Sequence, residues 1–307
     1  MSEAPALSVV VGLISGRKSD LARCLAALRG QREPLPVEVI VPYDDPCADV
    51  ATLAPEFPQV KFLRATALDT WKARAGASRE HHDALRTLGL RAATADVVAL
   101  TEDHAHAAPD WCAEMAQALE RHPEAGAVGG AVECDSERRL NWAVWFCDFG
   151  RYQNPLPEGR AAFVSDSNVA YRRRALDKVE PVWRDRYHET TVHAAMVEAG
   201  FVLCTTPRAV VQQARGDLAL GAALRERFVW GRSFAGTRAR LVGSPRRWIL
   251  AVLTPLLPVV MTWRVTRTAL DRRRHRRRLV EVLPLILLLH AVWALGEFVG
   301  YVTADPG

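Results

Sequence analysis

The sequence predicts an α/β protein with a mostly parallel sheet flanked by helices, followed by an apolar helical region toward the C-terminus. Three features predict it. Short apolar runs alternate with segments of helical periodicity from Ser8 to Val132. One of those runs, Val97-Val98-Ala99-Leu100, stops at Thr101-Glu102-Asp103-His104, so two carboxylates and an imidazole follow a strand directly. Ligands of α/β sheets sit beyond the carboxyl ends of strands, which makes that cluster a candidate site. Downstream, two long apolar stretches bracket Arg272-Arg273-Arg274-His275-Arg276-Arg277-Arg278.

Each element has its own signal. Ser8 to Ile14 reads as a buried strand, and Leu21, Leu25 and Leu28 then fall at helical spacing, ending near Gly30-Gln31. Val37 to Val41 is a second strand that closes on Tyr43-Asp44-Asp45, and Val60 to Leu63 is a third. Glu80 to Ala93 reads as a helix and Val97 to Leu100 as the next strand. Pro109 to His122 reads as a helix with proline in its first turn. Ala127-Val128-Gly129-Gly130-Ala131-Val132 is a further strand whose glycines permit close backbone approach. There is no internal repeat, no GxGxxG and no Walker-type loop.

Composition narrows the class. With 49% hydrophobic and 24% charged residues the chain can build a packed core, which excludes global disorder. Six cysteines show neither CxxC nor zinc-like spacing, which fits free thiols in a reducing cytosol. Met1-Ser2-Glu3-Ala4-Pro5 has no basic or apolar export region, so the N-terminal part is expected to stay in the cytoplasm.

The net charge of +5 is concentrated in the arginine block. Nucleic acid and an anionic membrane are both partners for such a block. The apolar stretches Trp248–Trp263 and Leu279–Val302 on either side, and the lack of an aromatic-studded basic groove, favour the membrane. The second stretch is long enough to span, which takes about 20 residues. The first is short and contains Pro255 and Pro258. Crossing there would place the arginines outside, against the positive-inside bias, whereas a re-entrant or interfacial segment avoids the conflict. Two soluble helices packed on each other are the alternative.

The order of these motifs resembles the family-two glycosyltransferases of the GT-A fold, from about Ser8 to about Ala235. Arg23 to Gln31 resembles the family's CLxSLxxQ helix, and Val41 to Asp49 stands where VVDDGSTD is expected. Leu85 to Leu90 resembles ARNxGL, Thr101-Glu102-Asp103-His104 occupies the DxD position, and Val128-Gly129-Gly130 matches VGG. Asn168 to Arg173 resembles NxAxRR, and His188-Glu189 with Gly200 has the spacing of the ED…G helix. The resemblance implies a GT-A catalytic domain over 1–215, a basic amphipathic linker over 216–247 and a membrane-associated helical region over 248–307.

It also implies a chemistry. The donor is a UDP- or GDP-linked sugar, with Leu13, Ile14, Asp44, Asp45, Arg86, Glu102, Asp103, Arg225 and Arg232 as candidate donor contacts. Asp44 or Asp45 would accept a base N–H, and the alternative for both is turn formation. Glu102 and His104 are candidate ligands of a divalent metal, Mn or Mg, that offsets diphosphate charge. Imidazole in the final DxD position suits Mn²⁺ better than Mg²⁺, and Gln212 stands where the family often has a metal-contacting histidine. Glu189 matches the base that takes the acceptor's proton in an inverting transfer. Gly130, Trp142, Trp145, Asn168 and His188 are the candidate acceptor residues, with a small aromatic core as the alternative for the tryptophans. His193 reads as a surface or core histidine.

The implied protein is a cytoplasm-facing, membrane-anchored enzyme of cell-envelope glycan or glycolipid synthesis, acting on a lipid-linked acceptor and not on nucleic acid. A non-catalytic GT-A scaffold and a sugar nucleotidyltransferase remain the alternatives. The absence of a glycine-rich phosphate loop counts against the latter.

Overall fold

The computed structural model describes residues 4–66 and 79–305, so the Met1-Ser2-Glu3 start lies outside them. The chain packs as two compact units. One takes Met1–Glu133 and Tyr152–Ala214, the other Cys134–Arg151 and Arg215–Gly307. Residues 134–151 therefore group with the C-terminal helices, although the linear reading places them with the sheet.

In the first unit the described order is β1 (Leu7–Gly12), α1 (Lys18–Arg29), β2 (Val37–Tyr43), β3 (Val60–Arg64), α2 (Arg79–Ala92), β4 (Val97–Glu102), β5 (Ala105–Ala107), α3 (Trp111–Arg121) and β6 (Ala125–Cys134). After α4 (Arg139–Asp148), which belongs to the second unit, come β7 (Gly159–Arg160), β8 (Asn168–Arg172), α5 (Arg173–Lys178), α6 (Glu180–Trp183), α7 (Glu189–Glu198) and β9 (Val202–Gln213). The sheet order is β3-β2-β1-β4-β8-β6-β9-β5, with β7 beside β9. From β3 to β4 it is parallel. The β4–β8, β8–β6, β9–β5 and β9–β7 pairs are antiparallel, β8 entering from the opposite end to β4. The sheet is thus mixed, and local periodicity does not report strand direction.

Burial explains the parallel half. All six residues of β1 are buried, the pattern of a strand covered on both faces. Val10, Ile40, Leu90, Val98, Leu100, Val169 and Trp183 belong to one core cluster, and each such side chain contributes about 1.5–3 kcal/mol on burial. Helix α2 lies directly on β1: a Cβ on Gly89 would come within 2.3 Å of Val10 Cγ1. Pro109 stands before the N-cap Asp110 of α3, outside the helix it was expected to open.

Register sets the site edge. Gly12 of β1 pairs with Glu102 of β4, so these strands end level with each other. Asn168, the first residue of antiparallel β8, pairs with Thr101, so the residues before it arrive at the same edge.

The second unit comprises α4, α8 (Leu220–Leu241), α9 (Ser244–Leu253), α10 (Leu257–Asp271) and α11 (Arg276–Thr303). One 3₁₀ turn, Thr254–Leu256, separates α9 from α10 at Pro255. The α9–α10 segment runs antiparallel to α11: Ala251 clusters with Tyr301, while Thr262 Oγ1 lies 3.0 Å from His290 Nδ1. Helices α8 and α11 touch backbone to backbone. A Cβ on Gly231 would fall 2.3 Å from Trp293 O, and one on Gly296 2.2 Å from Phe228 O. Two segments, Ser244–Asp271 and Arg276–Thr303, are long and apolar enough to cross a membrane by length and composition.

Candidate active site

Strand β4 delivers Glu102 as its last residue, and Asp103 and His104 follow in the turn. Asp103 is fully buried. Its carboxylate accepts hydrogen bonds from Ile14 N (3.2 Å), Ser15 N (3.1 Å), Ser15 Oγ (2.8 Å) and Gly16 N (2.8 Å), and lies 3.0 Å from His104 Nδ1. Burial alone would raise its pKa, yet the His104 and Ser15 hydrogen bonds hold it below the ordinary value. Asp103 thus clamps the loop after β1 through residues 14–16. Leu13 is buried and Ile14 is bound by its backbone to that clamp, so both shape the loop.

His104 is oriented by the same contact. Its Nε2 lies 3.5 Å from Glu102 Oε2, and in the neutral tautomer that donates Nδ1–H to Asp103 this Nε2 carries a lone pair. Two acceptors facing each other, one imidazole backed by a carboxylate, fit a divalent cation. Gln213 Nε2 donates to the same Glu102 oxygen at 3.1 Å, and Gln213 Oε1 is buried without a partner. Strand alternation turns Gln213 inward and leaves Gln212 exposed, so the position expected at Gln212 is one residue off. Burial raises the pKa of Glu102, against the opposing pull of His104 and Arg86.

Arg86, on α2, is 5% exposed and surrounded by carboxylates. Its guanidinium lies 3.0 Å from Asp166, 3.3 Å from Glu102 and 3.4 Å from Asp83. Burial would lower its pKa, but these three carboxylates raise it further, so the charge is permanent. Arg86 therefore holds the three acids together at the end of β4. Asp166 continues the chain: its backbone N–H donates to Glu189 Oε1 at 3.3 Å. Glu189 is half-buried at the first turn of α7, where a carboxylate also suits the helix dipole. An unbroken path thus runs Glu189–Asp166–Arg86–Glu102–His104.

The two aspartates after β2 diverge. Asp44 is buried and lies 2.8 Å from His81 Nε2 on α2, whereas Asp45 is half-exposed and bound to Arg64 at 2.7 Å. Of the two candidate base contacts, Asp44 thus faces α2, and Asp45 stands in a surface ion pair. His82, beside His81, is pushed down to about 4 by burial, with the charges of Arg86 and His81 adding to it.

Several acceptor candidates are structural. Asn168 is fully buried; its Oδ1 accepts from Trp111 Nε1 (2.7 Å) and its Nδ2 donates to Ala131 O (2.7 Å) and Ala209 O (3.0 Å). Gly130 makes room for that amide, since a Cβ there would sit 2.5 Å from Asn168 Nδ2 and 2.0 Å from Ala209 O. Both pack within the sheet. Trp142 and Trp145 are buried in the second unit with Phe146 and His275, the aromatic core given as their alternative. His188 is the N-cap of α7, with Nδ1 accepting from Thr190 or Thr191 at 3.1–3.2 Å. Arg225 is exposed on α8, and Arg232 is bound to Asp305 at 2.6 Å. His193 is a core histidine against Tyr171.

Asp166, His81, Asp83 and Gln213 were not singled out in the sequence. The polar run Ser165-Asp166-Ser167 immediately before β8 is the signal that points to Asp166. A separate group, His122, Glu124 and Cys204, has ligand atoms within 4.8 Å of one another. Its place before β6 puts it at the far end of the sheet from Glu102.

A mixed α/β sheet with this acidic cluster at the end of its fourth strand defines a GT-A-type glycosyltransferase domain. The chain belongs to glycosyl transferase family 2, whose model matches residues 9–180. It is similar to the glucosyl-dolichyl phosphate glucuronosyltransferase of Haloferax volcanii, 34% identical over 96 residues. That match spans 29% of this chain and 30% of the relative, under a third of either. Among solved structures, the mannosyltransferase PcManGT from Pyrobaculum calidifontis, in complex with GDP-Man and Mn2+, shares the fold. Its TM-score is 0.52 at 17% identity, over 99% of this chain and 86% of that one. S. aureus TarS 1-349 with UDP-GlcNAc gives 0.47 at 10% identity, over 92% and 71% of the two chains.

Proposed function

We propose that this chain transfers one sugar, with inversion, from a UDP- or GDP-linked donor to a hydroxyl of a lipid-linked acceptor in cell-envelope glycan or glycolipid synthesis, at the cytoplasmic face of the membrane. The observation that supports it best is the path from Glu189 through Asp166, Arg86 and Glu102 to His104, which ties a candidate proton acceptor to a candidate cation site within one unit. The GDP-Man and Mn2+ of PcManGT and the lipid named in the Haloferax relative point the same way.

In this reading Asp44 accepts the base's N–H and His81 orients its carboxylate. The loop 13–16, fixed by Asp103, presents backbone to the donor. Glu102 and His104 would hold a divalent cation, which when bound offsets the charge of the leaving diphosphate. Glu189 takes the acceptor hydroxyl's proton as that oxygen attacks the anomeric carbon and the nucleoside diphosphate departs. Arg86 and Asp166 set where that carboxylate stands.

The test is Glu189→Gln, which keeps the shape and the hydrogen bond from Asp166 but removes the base. Transfer of labelled sugar is expected to fall about 10³-fold, with donor affinity by calorimetry within twofold of the parent. Unchanged turnover removes Glu189 as the base.

A further inference from the structure

Hydropathy makes Ser244–Asp271 and Arg276–Thr303 two candidate spans. The packing of α11 within the second unit argues for a different placement. One side of α11 is lined along its length by α4 and α8. Near its start, Trp142 of α4 lies against His275 and Arg278 bonds Glu137. Toward its end, Phe228 and Arg232 of α8 meet Gly296, and Arg240 reaches Ala304 O. Between those levels, beside the middle of α11, the buried Arg227 of α8 forms an ion pair with Asp148 of α4. A span would carry this pair, and the exposed Arg225 of α8, to mid-bilayer depth, where charge is strongly disfavoured.

The opposite side is apolar and bare. Ile249, Val252, Leu256, Val259 and Trp263 recur at helical spacing along α9–α10, with Val252 74% and Val259 67% exposed. On α11, Val280, Leu287, Leu295 and Phe298 are exposed as well. Arginines stack on the end tryptophans of the α9–α10 stripe, Arg247 on Trp248 at 5.2 Å and Arg267 on Trp263 at 5.5 Å. Indole and guanidinium side by side suit the headgroup level, where the ring meets acyl chains and the cation meets phosphate. The turn between α10 and α11 leads into a run with six arginines in seven residues, 272–278. A spanning hairpin would have to translocate that run.

We propose that α9, α10 and α11 lie in the plane of a single leaflet of an anionic phospholipid membrane. The α9–α10 stripe dips among the acyl chains, and the arginines contact headgroups on the same side of the membrane as α8. Such in-plane segments bind by buried apolar area together with attraction to anionic lipid. The inference rests on the membrane association proposed above and replaces spanning with one-sided insertion.

Sidedness decides it. The full chain carrying Arg240→Cys, Arg274→Cys or Thr303→Cys is expressed in a bacterial host and exposed to a membrane-impermeant maleimide, with labelled sites mapped by mass spectrometry. All three positions are expected to label in inverted membrane vesicles and none in intact spheroplasts, and labelling of Thr303→Cys from the spheroplast side means that α11 spans and overturns the proposal. Labelling of Arg274→Cys from the spheroplast side while Arg240→Cys labels from the other overturns the in-plane placement and leaves membrane association standing. A chain found wholly in the soluble fraction overturns both. As a second arm, Val252→Glu with Val259→Glu is expected to lower binding of the purified chain to phosphatidylglycerol-containing vesicles at least tenfold. Pure phosphatidylcholine vesicles are expected to bind the parent at least fivefold more weakly. Undiminished binding of the double variant overturns the assignment of the face.

Discussion

The two units depart from the usual distribution of side chains in opposite directions. The first buries charge: Asp44, Asp83, Arg86, Glu102, Asp103 and His104 are all under a tenth exposed. The second exposes large apolar groups, including Trp248, Ile249, Val252, Val259 and Trp263. Buried polar groups and contiguous exposed apolar surface are the informative departures in a folded protein. In the first unit each acid is held by a named donor, so the charge is arranged for a ligand. In the second nothing among the described residues covers the apolar stripe, so the surface is arranged for another phase. The comparison predicts that equal chemical changes will have very different effects in the two places.

Glu189→Gln, described above, carries the largest expected effect. Next is Arg86→Met, which leaves Asp83, Glu102 and Asp166 without their common cation. Removing one partner from a buried ionic group costs about 3–5 kcal/mol. A urea midpoint within error of the parent would show that Arg86 does not organise the site.

His104→Ala comes third. It removes one of the two candidate ligands while leaving the Asp103 clamp on residues 14–16. The Mn²⁺-dependent part of donor affinity is expected to weaken about 10–100-fold. Equal affinity with and without EDTA, in parent and variant alike, breaks the assignment of the cation site.

Acid sensitivity is the fourth. Burial pushes His193 down to about 4, as it does His82, so both are neutral in the fold at neutral pH. The unfolded chain takes up those protons near its ordinary value of about 6.5. Stability is therefore full above about pH 6.5 and declines as pH falls toward 4, by about 1.4 kcal/mol per unit for each histidine. Urea midpoints at pH 7 and pH 4.5 measure it, and His193→Gln is expected to flatten the slope by one proton.

The smallest effect sharpens the contrast. Val252→Ser with Val259→Ser changes two of the most exposed apolar residues and is expected to shift folding stability by under about 0.5 kcal/mol in detergent-free buffer. A large loss there would mean that the stripe is core.

Much of the site was legible because local chemistry marks strand ends. An apolar run that breaks into Glu102-Asp103-His104 announces both the strand and the edge. What was not legible came from partners distant in sequence. Asp103 clamps residues 14–16 only because β1 and β4 end level. Gln213 takes the place expected of Gln212 because β9's pairing with β5 fixes which alternate residues face inward. Asp166 reaches Arg86 because β8 runs antiparallel, a direction that no local pattern encodes.

By itself the sequence determined most elements up to Val132, the two apolar stretches, the family and the position of the acidic turn, since periodicity and residue chemistry act over a few neighbours. The tertiary structure alone decided which aspartate faces inward, which arginine gathers the acids and which tryptophans are core. It also decided which side of α11 is covered by α4 and α8, because each of these depends on groups brought together by folding across long stretches of chain.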